Sequence, residues 1–214
     1  MYKEEKFELA KIMRRLYKMK LTTTLGGNIS VRTNDNTVLI TPSGTDKGEI
    51  SPDDIGELTL NGKIVGNSFK PSIESNMHTS IYKNRPNIKA VIHAHPPLLS
   101  AFAASSAEIK NNMTVETYAI LGDIAYADYA LIGTKALATN CVNATKNANT
   151  ILMRKHGALT LGKSLLEAFD RMEVFENAAK LTHLFSTDFS ASLSALSVSE
   201  MIEIDKMLQN NTKK

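Results

Sequence analysis

Three histidines carry the most legible chemistry in this sequence. His93 and His95 close the apolar run Lys89-Ala90-Val91-Ile92-His93-Ala94-His95, and Pro96-Pro97 follows. The β-branched and small residues of that run predict a buried strand. Successive strand side chains alternate faces, so His93 and His95 leave it on the same side. The prolines lack the next ladder donors and end the strand, which places both imidazoles at its C-terminal rim, where open sheets commonly bind ligands. His156 closes a similar apolar run, Ile151 to His156, just before the turn residue Gly157. Three imidazoles with an open fourth position are the ligand set of a catalytic zinc. Any one of these histidines would equally suit a strand end capped by hydrogen bonding, and it is the paired His-x-His that points to metal.

The elements around these residues follow from local pattern. Lys70-Pro71-Ser72-Ile73-Glu74 predicts a helix start with Ser72 as cap and Ile73, Met77 and Ile81 on one face, running to Pro86. Glu74 then stands in the first turn. There a carboxylate complements the helix dipole by ~0.3–1 kcal/mol, or it serves the site, since the helix leads into the His93 strand. His78, one turn later, is expected to be a surface or packing residue. Upstream, Gly26-Gly27-Asn28 precedes a strand from Ile29 to Arg32. Paired glycines can present backbone amides and Asn28 a side-chain donor to an anion, although a tight turn is the simpler meaning. A second strand, Val38 to Thr41, pairs with it through the Asn34-Asp35-Asn36 turn and ends at Pro42-Ser43-Gly44, another place where a hydroxyl and a glycine reach a loop.

The remainder reads as scaffold. Residues 3 to 19 predict an amphipathic helix with Leu9, Ile12, Met13 and Leu16 inward. Ser51-Pro52-Asp53-Asp54 predicts a capped helix, and Asn61-Gly62 predicts a hairpin between Glu57 to Leu60 and Lys63 to Val65. A short helix from Leu98 to Ala104 leads to a polar loop and the segments Thr114 to Tyr118 and Asp123 to Tyr126. A helix from Thr134 to Lys146 presents Ala136, Leu137, Cys141 and Ala144 on one face. Leu159 to Gly162 is a strand. Ser164 and Glu167 form a capping box for a long helix with Leu165, Phe169, Met172 and Ala179 on its apolar side. Val198 to Leu208 is a last helix, with fraying expected from Asn210 to Lys214. The alternation of helix and strand around both histidine segments suggests an α/β sheet of parallel strands.

Bulk properties bound the function. The 214 residues, 43% hydrophobic and 22% charged, fit a single soluble domain spanning 1-214. A net charge of +3 with scattered lysines argues against nucleic acid and stays compatible with a small anionic substrate. The single cysteine, Cys141, excludes an internal disulfide and suits a reducing compartment, and it reads as a small apolar residue. The first residues lack the apolar run of a secretory signal, and no stretch reaches membrane-spanning length, so a cytoplasmic location is expected.

In chain order, Gly27-Asn28-Ile29-Ser30, Thr41-Pro42-Ser43-Gly44, Pro71-Ser72-Ile73-Glu74, His93-Ala94-His95 and Lys155-His156-Gly157 together resemble the class II aldolase/adducin family, nearest its fuculose-phosphate aldolase branch. The resemblance runs from about Leu25 to Lys180. It implies an α+β fold with a mixed, mainly antiparallel sheet flanked by helices, in place of the parallel sheet. It implies one Zn2+ per subunit on His93, His95 and His156, with Glu74 on the metal at rest and acting as acid/base once substrate displaces it. Gly27, Asn28, Ser43, Gly44 and Ser72 would hold a substrate phosphate. Tyr118 matches a catalytic tyrosine, with Glu116 as the alternative acid/base. The implied activity is cleavage of a ketose 1-phosphate to dihydroxyacetone phosphate and an aldehyde through a metal-stabilised enediolate, in a homotetramer with active sites between subunits. A pentulose-phosphate 4-epimerase or a methylthioribulose-1-phosphate dehydratase shares this metal site. An adducin-like binding module would have shed the histidines. Two departures bear on the phosphate: Leu25 and Ile73 stand where the family pattern has hydroxyl residues, and no tyrosine after Tyr129 matches the family's C-terminal one.

Overall fold

The structure, a computed structural model, describes residues 1–187 and 194–211. Helix α1 (Lys3–Lys18) buries Leu9, Ile12, Met13 and Leu16, as their spacing predicts. Strands β1 (Asn28–Arg32) and β2 (Thr37–Ile40) form the first hairpin. Pro52–Asp54 is a single 3-10 turn rather than a full helix: the Asp54 carboxylate accepts from Ser51 N at 2.8 Å, and the chain is extended again at Ile55. β3 (Gly56–Thr59) and β4 (Ile64–Val65) make the second hairpin, with Gly62 at φ 79° in its turn. There follow α2 (Ser75–Asn84), β5 (Ala90–Ala94), α3 (Pro97–Ala103), α4 (Val115–Leu121), β6 (Ile124–Ala127), α5 (Lys135–Ala144), β7 (Thr150–Met153), β8 (Gly157–Gly162), α6 (Leu165–Thr187) and α7 (Val198–Asn211).

The strands form one eight-stranded sheet in the order β4-β3-β2-β1-β5-β8-β7-β6. Of these pairs β6–β7 alone is parallel, which corrects the parallel expectation and agrees with the mixed sheet of the family. The reason is local. Only three residues separate Met153 from Gly157, so β7 and β8 can meet only as a hairpin, whereas a parallel crossover needs a dozen residues or more. β5 lies at the centre, with β1 and β8 antiparallel on either side.

Both sheet faces are covered. Ala90, Ile92 and Ala94 of β5 join a core with Leu9, Met13, Leu99, Phe169 and Phe175 from α1, α3 and α6. Val91 joins a second core with Met77, Ile81, Tyr82, Leu137 and Cys141 from α2 and α5. His93 shares the Val91 face, so strand alternation alone turns it toward the α2 layer. A one-residue slip would exchange the two faces and strand His93 among the apolar residues of the α6 side, so burial on both sides pins this register.

Several boundaries differ from expectation. α4 is hard to read from sequence because its capping box is Thr114 with Thr117: each threonine Oγ1 accepts from the other's backbone N–H, at 3.2 and 3.1 Å, without the usual Glu or Gln. In α5 the inward residue is Ala138 rather than Ala136, and Cys141 is fully buried as expected. α7 continues through Asn211, three residues past the expected Leu208, and 212–214 lie outside the described residues. No helix among the described residues is long and apolar enough to cross a membrane.

Candidate metal centre

Three elements converge on the C-terminal end of β5. His93 stands on β5 opposite Asn28, fully buried, and His95 follows the strand. His156 belongs not to the strand β7 but to the turn after it, where Lys155 takes φ 57° and His156 N bonds to Met153 O at 3.0 Å. The ring centroids lie 4.7 Å apart for His93–His95 and His93–His156, and 5.5 Å for His95–His156. One nitrogen from each ring falls within 4.8 Å of the others. Glycines make this crowding feasible. A Cβ on Gly157 would sit 2.6 Å from His95 Cδ2 and 2.7 Å from Ala94 O, and one on Gly27, at φ 68°, would sit 2.8 Å from His93 O.

Glu74 reaches the same point by a different route from the one expected. α2 begins at Ser75, and Glu74 is its N-cap residue, with φ −99° and no side-chain capping bond. Ser72 is not the cap. Its carbonyl accepts from Ser75 N at 3.0 Å and its hydroxyl from Glu74 N at 3.3 Å, closing a turn ahead of the helix. Pro71 keeps this approach extended through its bridge to Pro42, and Ser43 N bonds to Lys70 O at 2.9 Å. The Glu74 carboxylate, spared capping, lies with Oε2 3.3 Å from His93 Nε2 and Oε1 3.4 Å from His156 Nε2.

These contacts are not ordinary ion pairs. His93 Nδ1 lies 2.9 Å from Ala158 O, and because a carbonyl can only accept, Nδ1 carries the proton. Burial, then the neighbouring His95 and His156, hold the His93 pKa well below its usual value, so Nε2 has no proton. Burial likewise lowers the pKa values of His95 and His156. A bare nitrogen lone pair therefore faces a carboxylate oxygen at 3.3 Å, and among the described residues His93 Nε2, Glu74 Oε1 and His156 Nδ1 find no hydrogen-bond partner despite burial. Orphaned polar atoms of this kind cost on the order of 1–3 kcal/mol each. A cation between the rings and the carboxylate relieves the conflict, and the donor set of imidazoles with one carboxylate fits a divalent transition metal.

Behind the carboxylate lies a buried polar chain that local sequence pattern does not reveal. Asn28 Nδ2 donates to Glu74 Oε2 at 2.8 Å, which turns Asn28 Oδ1 toward His78 Nε2 at 2.5 Å. His78 must therefore donate from Nε2, and its Nδ1 accepts from Ser30 Oγ at 2.6 Å, with Tyr82 OH beside that hydroxyl at 2.8 Å. His78 is thus no surface residue. It is fully buried, and burial drives its pKa down to about 3, so the neutral ring persists at ordinary pH and holds the Asn28 amide with its donor toward Glu74.

A cavity of about 160 Å³ opens beside the histidines, and Gly27, Asn28, Ser43 and Ser72 line it together with Glu74, His95, His156, Leu25, Ile73 and Lys47. Gly44 is adjacent in sequence but does not line it, and its Cα faces open space. Tyr118 is not brought to this cavity within the single chain: its hydroxyl donates to Asp205 of α7 at 3.1 Å. Glu116 lines a larger hollow of about 400 Å³ against α6, with Asp170, Glu173 and Glu176 but no histidine. The larger hollow thus shares no histidine with the candidate metal centre.

Fold and site together define a class II aldolase scaffold, and the chain belongs to that family: the Class II Aldolase and Adducin N-terminal domain matches residues 7–183. The chain is similar to the L-fuculose phosphate aldolase of Methanococcus vannielii, 39% identical over 177 residues that cover 83% of this chain and 94% of that protein. It is also similar to the 3-oxo-tetronate 4-phosphate decarboxylase of Haemophilus influenzae, 31% identical over 178 residues, covering 81% and 84%. Among solved structures, an L-fuculose 1-phosphate aldolase matches with a TM-score of 0.86 at 33% identity, covering 96% of each chain.

Proposed function

We propose that this chain is a zinc-dependent aldolase that cleaves a ketose 1-phosphate of the L-fuculose 1-phosphate kind into dihydroxyacetone phosphate and an aldehyde. The observation that carries this reading is the cluster of three neutral imidazoles that converge with the Glu74 carboxylate, leaving buried ring nitrogens and a carboxylate oxygen without partners. A zinc ion held by His93, His95 and His156 would supply Lewis-acid stabilisation of the negative charge that develops on the substrate oxygens. Cleavage breaks the bond between carbons 3 and 4. One group must take the proton from the hydroxyl on carbon 4, and another must return a proton to carbon 3. Glu74 is assigned the carbon proton, because Asn28 holds its Oε2 while Oε1 has no hydrogen-bond partner. Asn28, Gly27, Ser43 and Ser72 orient the phosphate end, with Gly44 shaping the loop.

Tyr118 is proposed as the group for the hydroxyl proton, acting across a subunit boundary in a homotetramer, in the cytoplasm. Exposed apolar side chains at the cavity mouth, Leu25 at 64% and Ile73 at 61%, support a partner surface there. The similarity to a decarboxylase favours a second reading, in which the same metal and carboxylate release carbon dioxide from a phosphorylated oxo-acid. Product analysis separates the two, and also an epimerase or dehydratase. With zinc-loaded protein and a panel of phosphorylated ketoses and oxo-acids, the proposal expects dihydroxyacetone phosphate, detected by coupled reduction. Carbon dioxide release, or an isomeric or dehydrated product without dihydroxyacetone phosphate, would overturn it.

A further inference from the structure

Lys47 belongs to no motif, standing in the polar loop Thr45-Asp46-Lys47-Gly48 after β2, yet it is 1% exposed and lines the cavity beside the histidines. Its ammonium donates to Pro42 O at 2.7 Å, which uses one of three N–H donors. Among the described residues no carboxylate lies within 4 Å of it, and its pKa falls to about 8 through burial alone. A buried ammonium without a counter-charge is costly, and proteins rarely keep one that serves nothing. Part of the lining around it suits an anion. Ser43, Ser72 and the Gly26-Gly27 turn share the cavity, and among the described residues Glu74, which faces the histidines, is the one carboxylate in its lining.

We propose that Lys47 is the cationic anchor for the substrate phosphate and sets the preference for phosphorylated over unphosphorylated substrates. It would supply what Leu25 and Ile73 do not. Main-chain amides make only part of that compensation, since Ser43 N is already committed to Lys70 O at 2.9 Å. The lysine is held by a single carbonyl contact from the loop that also carries Ser43, so two of its ammonium donors are uncommitted, and in the proposal they serve a dianion entering the cavity. The inference rests on the phosphorylated-substrate reading above, and it adds a residue that acts on the phosphate rather than on the reacting carbons.

The test compares the wild type with Lys47→Met, a near-isosteric apolar replacement, and with Lys47→Gln, which keeps a neutral donor. Three quantities are read on zinc-loaded protein: kcat/KM for a ketose 1-phosphate, kcat/KM for the same ketose unphosphorylated, and inhibition by inorganic phosphate. Loss of a charge-assisted contact should cost about ten- to a hundred-fold. In Lys47→Met that loss is expected in KM for the phosphorylated ketose and in the phosphate inhibition constant, with the unphosphorylated ketose unaffected. Lys47→Gln should fall between. A merely structural lysine would depress both substrates together, and that outcome, or an unchanged phosphate inhibition constant, overturns the proposal. A crystal of zinc-loaded wild type soaked in phosphate gives a reading independent of folding in the variants: the anion is expected about 3 Å from Lys47 Nζ, and phosphate bound elsewhere overturns it. If the wild type itself neither prefers the phosphorylated ketose nor binds phosphate, the substrate class proposed above fails first. If it does both and Lys47→Met keeps both, only the role of Lys47 fails.

Discussion

The His95→Ala protein is expected to fold, to lose its divalent metal, and to turn over substrate at least about a thousand-fold more slowly. His95 is the one of the three histidines that lies beyond the strand ladder, packed against Gly157 at the rim of β5, so its removal should leave the register of β5 with β1 and β8 intact. His93 and His156 remain, but two imidazoles with one carboxylate no longer define the three-imidazole site. A Lewis acid contributes several kcal/mol of charge stabilisation, and ~4 kcal/mol corresponds to ~10³ in rate. Metal content after dialysis, circular dichroism and single-turnover rates check this together. A variant that retains a full equivalent of metal and near-normal turnover would remove His95 from the ligand set.

Glu74→Gln separates metal binding from proton transfer. All three imidazoles stay, so the variant is expected to hold metal while its turnover falls ~10² to 10⁴-fold, the usual contribution of a positioned acid/base. The geometry adds a second expectation of opposite sign. With its amide oxygen at the Oε2 position, the introduced glutamine would keep the Asn28 bond, and its amide nitrogen at the Oε1 position could donate to His156 Nε2, now 3.4 Å from an acceptor. An orphaned contact becomes a hydrogen bond worth roughly 0.5–1.5 kcal/mol. Metal-stripped Glu74→Gln should therefore unfold at higher denaturant than metal-stripped wild type, although its activity is lower. Full activity in the variant would exclude Glu74 as the proton carrier. A lower denaturation midpoint would show that the carboxylate is not in conflict with its imidazole neighbours.

Much of this site is legible in the sequence because strand periodicity acts over short range. The run Ala90 to His95 sets which face His93 takes, and the same alternation puts Asn28 and Ser30 of β1 toward α2. What escapes is whatever depends on distant partners. His78 lies at ordinary helical spacing after Glu74, and nothing in that spacing says that Ser30 and Asn28, 48 and 50 residues away, will bracket its ring. Lys47 looks like one more surface lysine until the loop carrying it folds beneath Pro42. The start of α2 is misleading because Ser72 is a good cap by type, while the Pro42–Pro71 bridge keeps the chain extended to that point. Tyr118 is the reverse case: its motif position suggests chemistry, and the single chain ties it to Asp205 instead.

The proposed function stands or falls on whether the converging imidazoles of His93, His95 and His156 hold a catalytic divalent metal. It is tested most directly by measuring metal per chain and activity on the same samples, as purified, after chelation, and after zinc is returned. About one equivalent of transition metal per chain is expected, with loss of turnover in step with its removal and recovery at one equivalent of zinc. Protein that carries no transition metal, gains no activity from zinc, or keeps full turnover after chelation would contradict it.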